Sequence, residues 1–126
     1  MPTQFNPTDI PGIITRIYQQ VLERQPDQGG ETYYSSKLNS GEMTVRNIVK
    51  ELGLSKEHQD RFLTPNTDTD AVKVCYKHFL AREPEQEGLD YWTRQAESQA
   101  GWPSLIRNLI DSDEYTRRFG DDNVPA

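Results

Sequence analysis

Two histidines, one cysteine and several short acidic runs are the residues of this chain whose types could support catalysis or metal binding. Around His58 and His78 no Ser-His-Asp or Cys-His set can be assembled beyond the presence of the residue types. His58 falls opposite Tyr115 in an internal repeat described below, which gives it a packing or surface role, and His78 stands between Lys77 and Phe79 in a helical segment. Cys75 replaces Ile17 of the first repeat on an apolar stripe. It reads as a buried structural thiol, because a reactive one needs exposure and a positive setting. As the lone cysteine it forbids an intrachain disulfide and a cysteine-based metal cluster.

The acidic runs fare no better as metal sites. Asp68-Thr69-Asp70 alternates oxygens but lacks the turn glycine and the spaced terminal Glu of a calcium loop. Asp111, Asp113 and Glu114 read as charge at a helix start, and Asp121-Asp122 as a solvated tail. Gly29-Gly30 lacks the further glycines and the Lys of a phosphate loop. Catalysis, a metal and a cofactor therefore find no support, and binding remains.

Six residues are candidates for contact with a protein partner. Arg24 and Arg82 recur at helix C-termini, where positive charge is favoured. Their first reading is an internal corner clamp used twice, their second an arginine contact to a partner. Trp102, between Gly101 and Pro103, reads as a loop Trp that either anchors an interface or covers the end of its own core. Phe5 is a lone apolar side chain in an extended N-terminal tail, either frayed or ordered on a partner. Arg117 and Arg118, the longest basic run, complete the set. The pairs Tyr33-Tyr34 and Tyr91-Trp92 read as core, since a lean chain needs their large buried area.

Helices must position these residues. Ile10, Ile13, Ile14, Ile17, Tyr18, Val21 and Leu22 form one helical stripe, with Asp9 to cap its start, Pro11 in the first turn and Pro26 closing the segment. A second helix is predicted over Gln28–Leu38 and ends at Asn39-Ser40-Gly41, with Gly41 available for a left-handed cap. A third starts on Thr44 and stops at Gly53; a fourth starts on Ser55 and carries Phe62. Thr64–Asp68 is a polar connector between two halves.

The second half repeats the first. Tyr18, Leu22, Arg24, Pro26, Gln28, Gly30 and Tyr33 recur 58 residues later as Tyr76, Leu80, Arg82, Pro84, Gln86, Gly88 and Tyr91. Ser55, Glu57, Arg61 and Phe62 recur at 57 as Ser112, Glu114, Arg118 and Phe119. Matching Arg46-Asn47 to Arg107-Asn108, at 61, predicts about one extra helical turn before Ser55. The expectation is an all-α fold of about seven or eight short helices in two pseudo-repeated halves (about 10–63 and 68–119) sharing one core. Residues 9–120 form the single domain, between a flexible tail at 1–8 and a C-terminal tail at 121–126.

Composition sets the outer limits. The chain has 126 residues, 33% of them hydrophobic, and a net charge of −6; mean hydropathy is −0.87. Its longest apolar runs are far too short for a membrane span, and no secretory signal opens it. The negative balance and the absence of basic runs argue against nucleic acid. Low hydrophobicity with net charge suits disorder as well, but the helical periodicity argues for a fold.

Three segments resemble the phycobilisome linker domain family. They are Ile17-Tyr18-Gln19-Gln20-Val21-Leu22-Glu23-Arg24 with Gly41–Val49 and Ser55, then Cys75–Pro84, then Leu109–Tyr115 with Phe119-Gly120-Asp121-Asp122-Asn123-Val124-Pro125. The resemblance runs from about Pro11 to Pro125. It implies a non-enzymatic, all-α protein with no cofactor of its own, which docks on phycobiliproteins (allophycocyanin or phycocyanin) and on other linkers. A photosystem is a further candidate partner, and contact with bilins carried by the partners is implied too. The implied location is the phycobilisome on the cytoplasmic face of the thylakoid membrane. Many rod linkers of this kind are basic, whereas this chain is acidic, so a place at the antenna core or periphery is expected. The corners Arg24–Gly30 and Arg82–Gly88 also resemble a repeated helical domain of large bacterial surface or secreted proteins. That leaves a surface or adhesion module, or a stand-alone regulatory binding domain, as the alternative.

Overall fold

The computed structural model describes residues 9–96 and 101–126. These form eight helices and no strand: α1 (Ile10–Leu22), α2 (Gln28–Ser40), α3 (Val45–Gly53), α4 (Lys56–His58, running on into a π-helical turn at Gln59–Leu63), α5 (Asp68–Leu80), α6 (Gln86–Ala96), α7 (Gly101–Ile110) and α8 (Asp113–Arg118). The all-α expectation holds.

Local chemistry accounts for most of the boundaries. The α1 stripe is buried along its whole length. Asp27 caps α2, its carboxylate accepting from the Gly30 N–H at 2.6 Å, and Gly41 ends that helix at φ 80°. Thr44 and Asn47 form a reciprocal capping box at the start of α3. Ser55 and Ser112 accept from the N–H groups of His58 and Tyr115 at equivalent helix starts. One expectation fails. Asp9 stands at the N-cap of α1, but with φ −118° and ψ 31° its side chain makes no cap bond; its carboxylate lies 3.4 Å from Arg16. Thr67 caps α5 and places Asp68 and Asp70 in its first turn, where the helix dipole favours them, so the connector between halves ends at Thr67.

The two halves share one core. In the first, α1 packs on α2 and α3; in the second, α5 packs on α6 and α7; α1 meets α5, and α3 meets α7, across the middle. Burial corrects the expected extra turn. Ile48, Val49 and Leu52 of α3 match Leu105, Ile106 and Leu109 of α7 as buried stripes, at the offset of 57 that also relates Ser55 to Ser112. The Arg-Asn dipeptides mislead because Asn47, Arg107 and Asn108 are exposed and Arg46 alone turns onto the body, whereas core contacts fix helix register. In this register Trp102 is the counterpart of Val45 and lies in the first turn of α7, not in a loop.

Beyond α8 the chain stays on the body. Val124 and Pro125 are buried. The Arg46 N–H donates to the Asp121 carbonyl at 3.0 Å, and its guanidinium donates to the Ile110 carbonyl at 2.6 Å.

Both α1 and α5 end on a residue in the left-handed region, Glu23 and Ala81, each at φ 52°. A side chain is strained there by roughly 1–2 kcal/mol. Part of the gain from glycine is offset by the freer unfolded chain and by the loss of a methyl group packed against the core. Ala81→Gly is therefore expected to stabilise the domain by about 0.5 kcal/mol in urea unfolding. Equal or lower stability would show that Ala81 is not strained.

Candidate protein-docking site

Each half folds around the same corner. At the end of α1, Arg24 donates from Nε and Nη2 to both oxygens of Glu57, at 2.7 and 2.9 Å, and lies over the Tyr18 ring at 5.2 Å. Arg61 donates to Glu57 as well and satisfies the open Leu22 carbonyl of α1 at 2.7 Å. At the end of α5, Arg82 donates to both oxygens of Glu114 at 2.8 Å and lies over Tyr76 at 5.2 Å. Arg118 donates to Glu114 and to the Leu80 carbonyl. These bonds hold the Glu57 and Glu114 carboxyls down at about 2, the fork from Arg24 or Arg82 being the chief cause. The repeated glycines belong to the same construction. A Cβ at Gly30 would stand 2.2 Å from the Tyr18 hydroxyl oxygen, and one at Gly88 would stand 3.0 Å from that of Tyr76.

A second polar cluster joins the halves from inside. His58 Nε2 lies 2.8 Å from His78 Nδ1, and His78 Nε2 lies 2.7 Å from the Glu23 carboxylate. Both rings are fully buried, with Phe62 and Phe79 around them. The partners assign the protons. Glu23 accepts from His78 Nε2–H, so His78 Nδ1 is the acceptor for His58 Nε2–H, and His58 Nδ1 keeps a bare lone pair. That atom has no hydrogen-bond partner among the described residues. Burial, helped by the neighbouring His78, pushes the His58 pKa down to about 3; burial also lowers that of His78, against the opposing pull of Glu23. Neutral rings in a closed aromatic pocket have no access to a substrate, so the cluster is a structural bond between halves. Cys75 is equally closed off, its thiol pushed up to about 12 by burial.

The candidate contact residues do not converge on one spot. Arg82 and Arg118 share Glu114, Arg24 sits in the matching corner of the other half, and Arg117 is exposed on α8. Trp102 is half-buried against the core and lines a small crevice with Gly53, Leu63 and Pro103. Phe5 lies outside the described residues.

The aromatic pairs divide between inside and outside. Tyr34 is buried, bonded to Glu51 at 2.8 Å, and Trp92 is half-buried. Tyr33 and Tyr91 are 49% and 48% exposed, which corrects the reading of both pairs as core. Adjacent helical residues point about 100° apart, and here the buried arc of each helix takes in Tyr34 and Trp92 and leaves Tyr33 and Tyr91 outside it. Tyr33 borders an open groove of about 520 Å³ with Lys37, Met43 and Glu51.

Sequence reasoning missed the histidine pair and the outward tyrosines. A signal for the first was present. His78 falls where the first half has Gln20, and His58 where the second has Tyr115, so the repeat departs from itself at both partners.

Comparison with known proteins fits this geometry. Residues 5–126 match the family model described as the phycobilisome linker polypeptide. The phycobiliprotein ApcE of a Nostoc species is 34% identical over 117 residues, covering 90% of this chain and 10% of that protein. The linker polypeptide named as the gamma subunit of class 2 phycoerythrin, from a Synechococcus species, is 38% identical over 117 residues, covering 90% and 39%. A phycocyanin-associated rod linker of 32.1 kDa from a Synechocystis species is 31% identical over 119 residues, covering 93% and 44%. The chain thus spans from a tenth to under half the length of these relatives. A match across nearly all of its residues shows that the chain belongs to the phycobilisome linker polypeptide family, whose members are structural proteins rather than enzymes.

Proposed function

We propose that this domain docks on phycobiliproteins and organises or attaches the light-harvesting antenna, at its core or periphery rather than inside the rods. The net charge of −6 is the observation that carries the placement. An acidic domain is repelled from the interior of an acidic pigment-protein ring, and its folded outer surface is the part left for docking. Two clamped corners and a shared core make that surface rigid, which lowers the entropy cost of docking. Among the described residues no helix is long and apolar enough to cross a membrane. Attachment on the cytoplasmic side of the thylakoid would then run through partner proteins, a photosystem among the candidates.

Sedimentation tests this reading. Tagged chain mixed with purified phycobilisomes is expected to travel with them through a sucrose gradient, and to follow the allophycocyanin cores once rods are detached. Retention at the top of the gradient in every condition tried overturns the antenna reading; travel with the detached rods alone overturns the placement.

A further inference from the structure

Helix α6 is packed unlike its counterpart. Where α2 buries Tyr34 and Leu38, no residue of α6 is fully buried. Leu89 and Trp92 only half-enter the core, and Tyr91 stands edge-on to Trp92 at 4.9 Å with half its surface in water. Residues 83 to 96 carry Glu83, Glu85, Glu87 and Asp90 against a single cation, the exposed Arg94 in the last turn of α6. Glu85 reaches Arg82 at 3.1 Å; Glu83, Glu87 and Asp90 are exposed and meet no cation among the described residues.

The molecule itself shows what such a pairing takes. At both corners a tyrosine ring beside a carboxylate holds a guanidinium. The exposed tyrosine of the first half is partnered in the same manner, with Lys37 Nζ over the Tyr33 ring at 5.4 Å. In the second half the position of Lys37 is Gln95, which has no charge to offer the ring of Tyr91. Glu87 and Tyr91 are one turn apart and therefore share a helix face. They repeat the ring-and-carboxylate half of the corner motif without its cation.

We propose that the exposed face of α6, centred on Glu87 and Tyr91 with Glu83 and Asp90 beside them, docks an arginine-bearing basic surface of a partner protein. Charge complementarity selects the partner, and the half-exposed Leu89 and Trp92 supply apolar area that such a contact would finish burying. The proposal rests on the reading of the domain as an antenna docking module and names the face and the chemistry of one contact.

The test uses the full chain and purified phycobilisomes. Glu87→Gln combined with Asp90→Asn and Tyr91→Ala changes exposed side chains only, and its melting temperature checks that the fold survives. Co-sedimentation affinity is expected to fall at least tenfold in this variant and less than twofold in Tyr33→Ala. A photo-cross-linking phenylalanine at position 91 is expected to capture a peptide rich in Arg or Lys. If the wild type sediments with phycobilisomes and the triple variant binds equally well, or the cross-links fall only on acidic stretches, the α6 proposal is overturned and the antenna reading stands. If the wild type does not sediment with them at all, both fall.

Discussion

Lowering the pH from 7.5 to 5.5 is expected to destabilise this domain by at least about 1.4 kcal/mol, and to lower its melting temperature by about 5 °C. The cause is the buried His58–His78 pair. Burial lowers both pKa values in the folded state, that of His58 to about 3. Below about 6.5 the unfolded chain binds protons that the folded chain refuses. Stability is therefore complete above that pH and is lost as the pH falls. Glu23 and Glu57 favour the charged rings, whereas Lys77 and Arg61 disfavour them, and none reaches the bare His58 Nδ1. The clamped carboxylates act in a separate window. Glu57 and Glu114, held at about 2, give up their contribution only as the pH drops from about 4.5 toward 2. His58→Phe fits among Phe62 and Phe79 and should remove most of the His58 share of the loss between pH 7.5 and 5.5. Thermal melts of both proteins at the two pH values decide the matter; a wild-type melting point that does not move would mean that the pair does not titrate as described.

Gly53→Val is expected to cost roughly 3 kcal/mol and lower the melting temperature by about 10 °C. Gly53 ends α3 where α5 and α7 converge. A Cβ there would stand 2.5 Å from Phe79 Cζ and 3.4 Å from Ile106 Cγ2. The Phe79 ring cannot swing away, because it is fully buried and packed on His58 at 5.3 Å. An added side chain must push α3 away from α5 and α7 at this junction. Gly29→Ala is the matched control; its Cβ would meet only Asp27 Oδ1, at 3.9 Å. Urea unfolding should place the control within about 0.5 kcal/mol of wild type. A Gly53→Val variant as stable as the control would show that the junction can repack.

Legibility followed the range of the interactions. Helix starts were readable because a cap is a contact over three residues: Thr44, Ser55 and Ser112 sit where their side chains declared. Periodicity gave α1 its buried face. The repeat disclosed both corners, and the first reading of Arg24 and Arg82 as clamps matches the forks they make to Glu57 and Glu114. What escaped depended on contacts between halves. The His58–His78 bond joins α4 to α5, and nothing local to either residue announces it. Trp102 looked like a loop residue because Gly101 and Pro103 flank it, yet Pro103 is tolerated in a first helical turn, where its missing N–H costs nothing. Tyr33 and Tyr91 were misjudged because composition says how much area a core needs, not which of two neighbours supplies it.

The left-handed residues at the ends of α1 and α5 share one backbone shape and have unequal employment. At Glu23 the strained conformation delivers a carboxylate to His78, so the strain has a use and glycine would forfeit it. At Ala81 the same φ of 52° turns only a methyl group onto the edge of the core, with no such bond to make. Ala81 thus preserves the contour of a task performed only by its twin. In a molecule made of two similar halves, such a shared contour marks where the copies have drifted into separate trades, one bonding the halves together and the other only packing within its own corner.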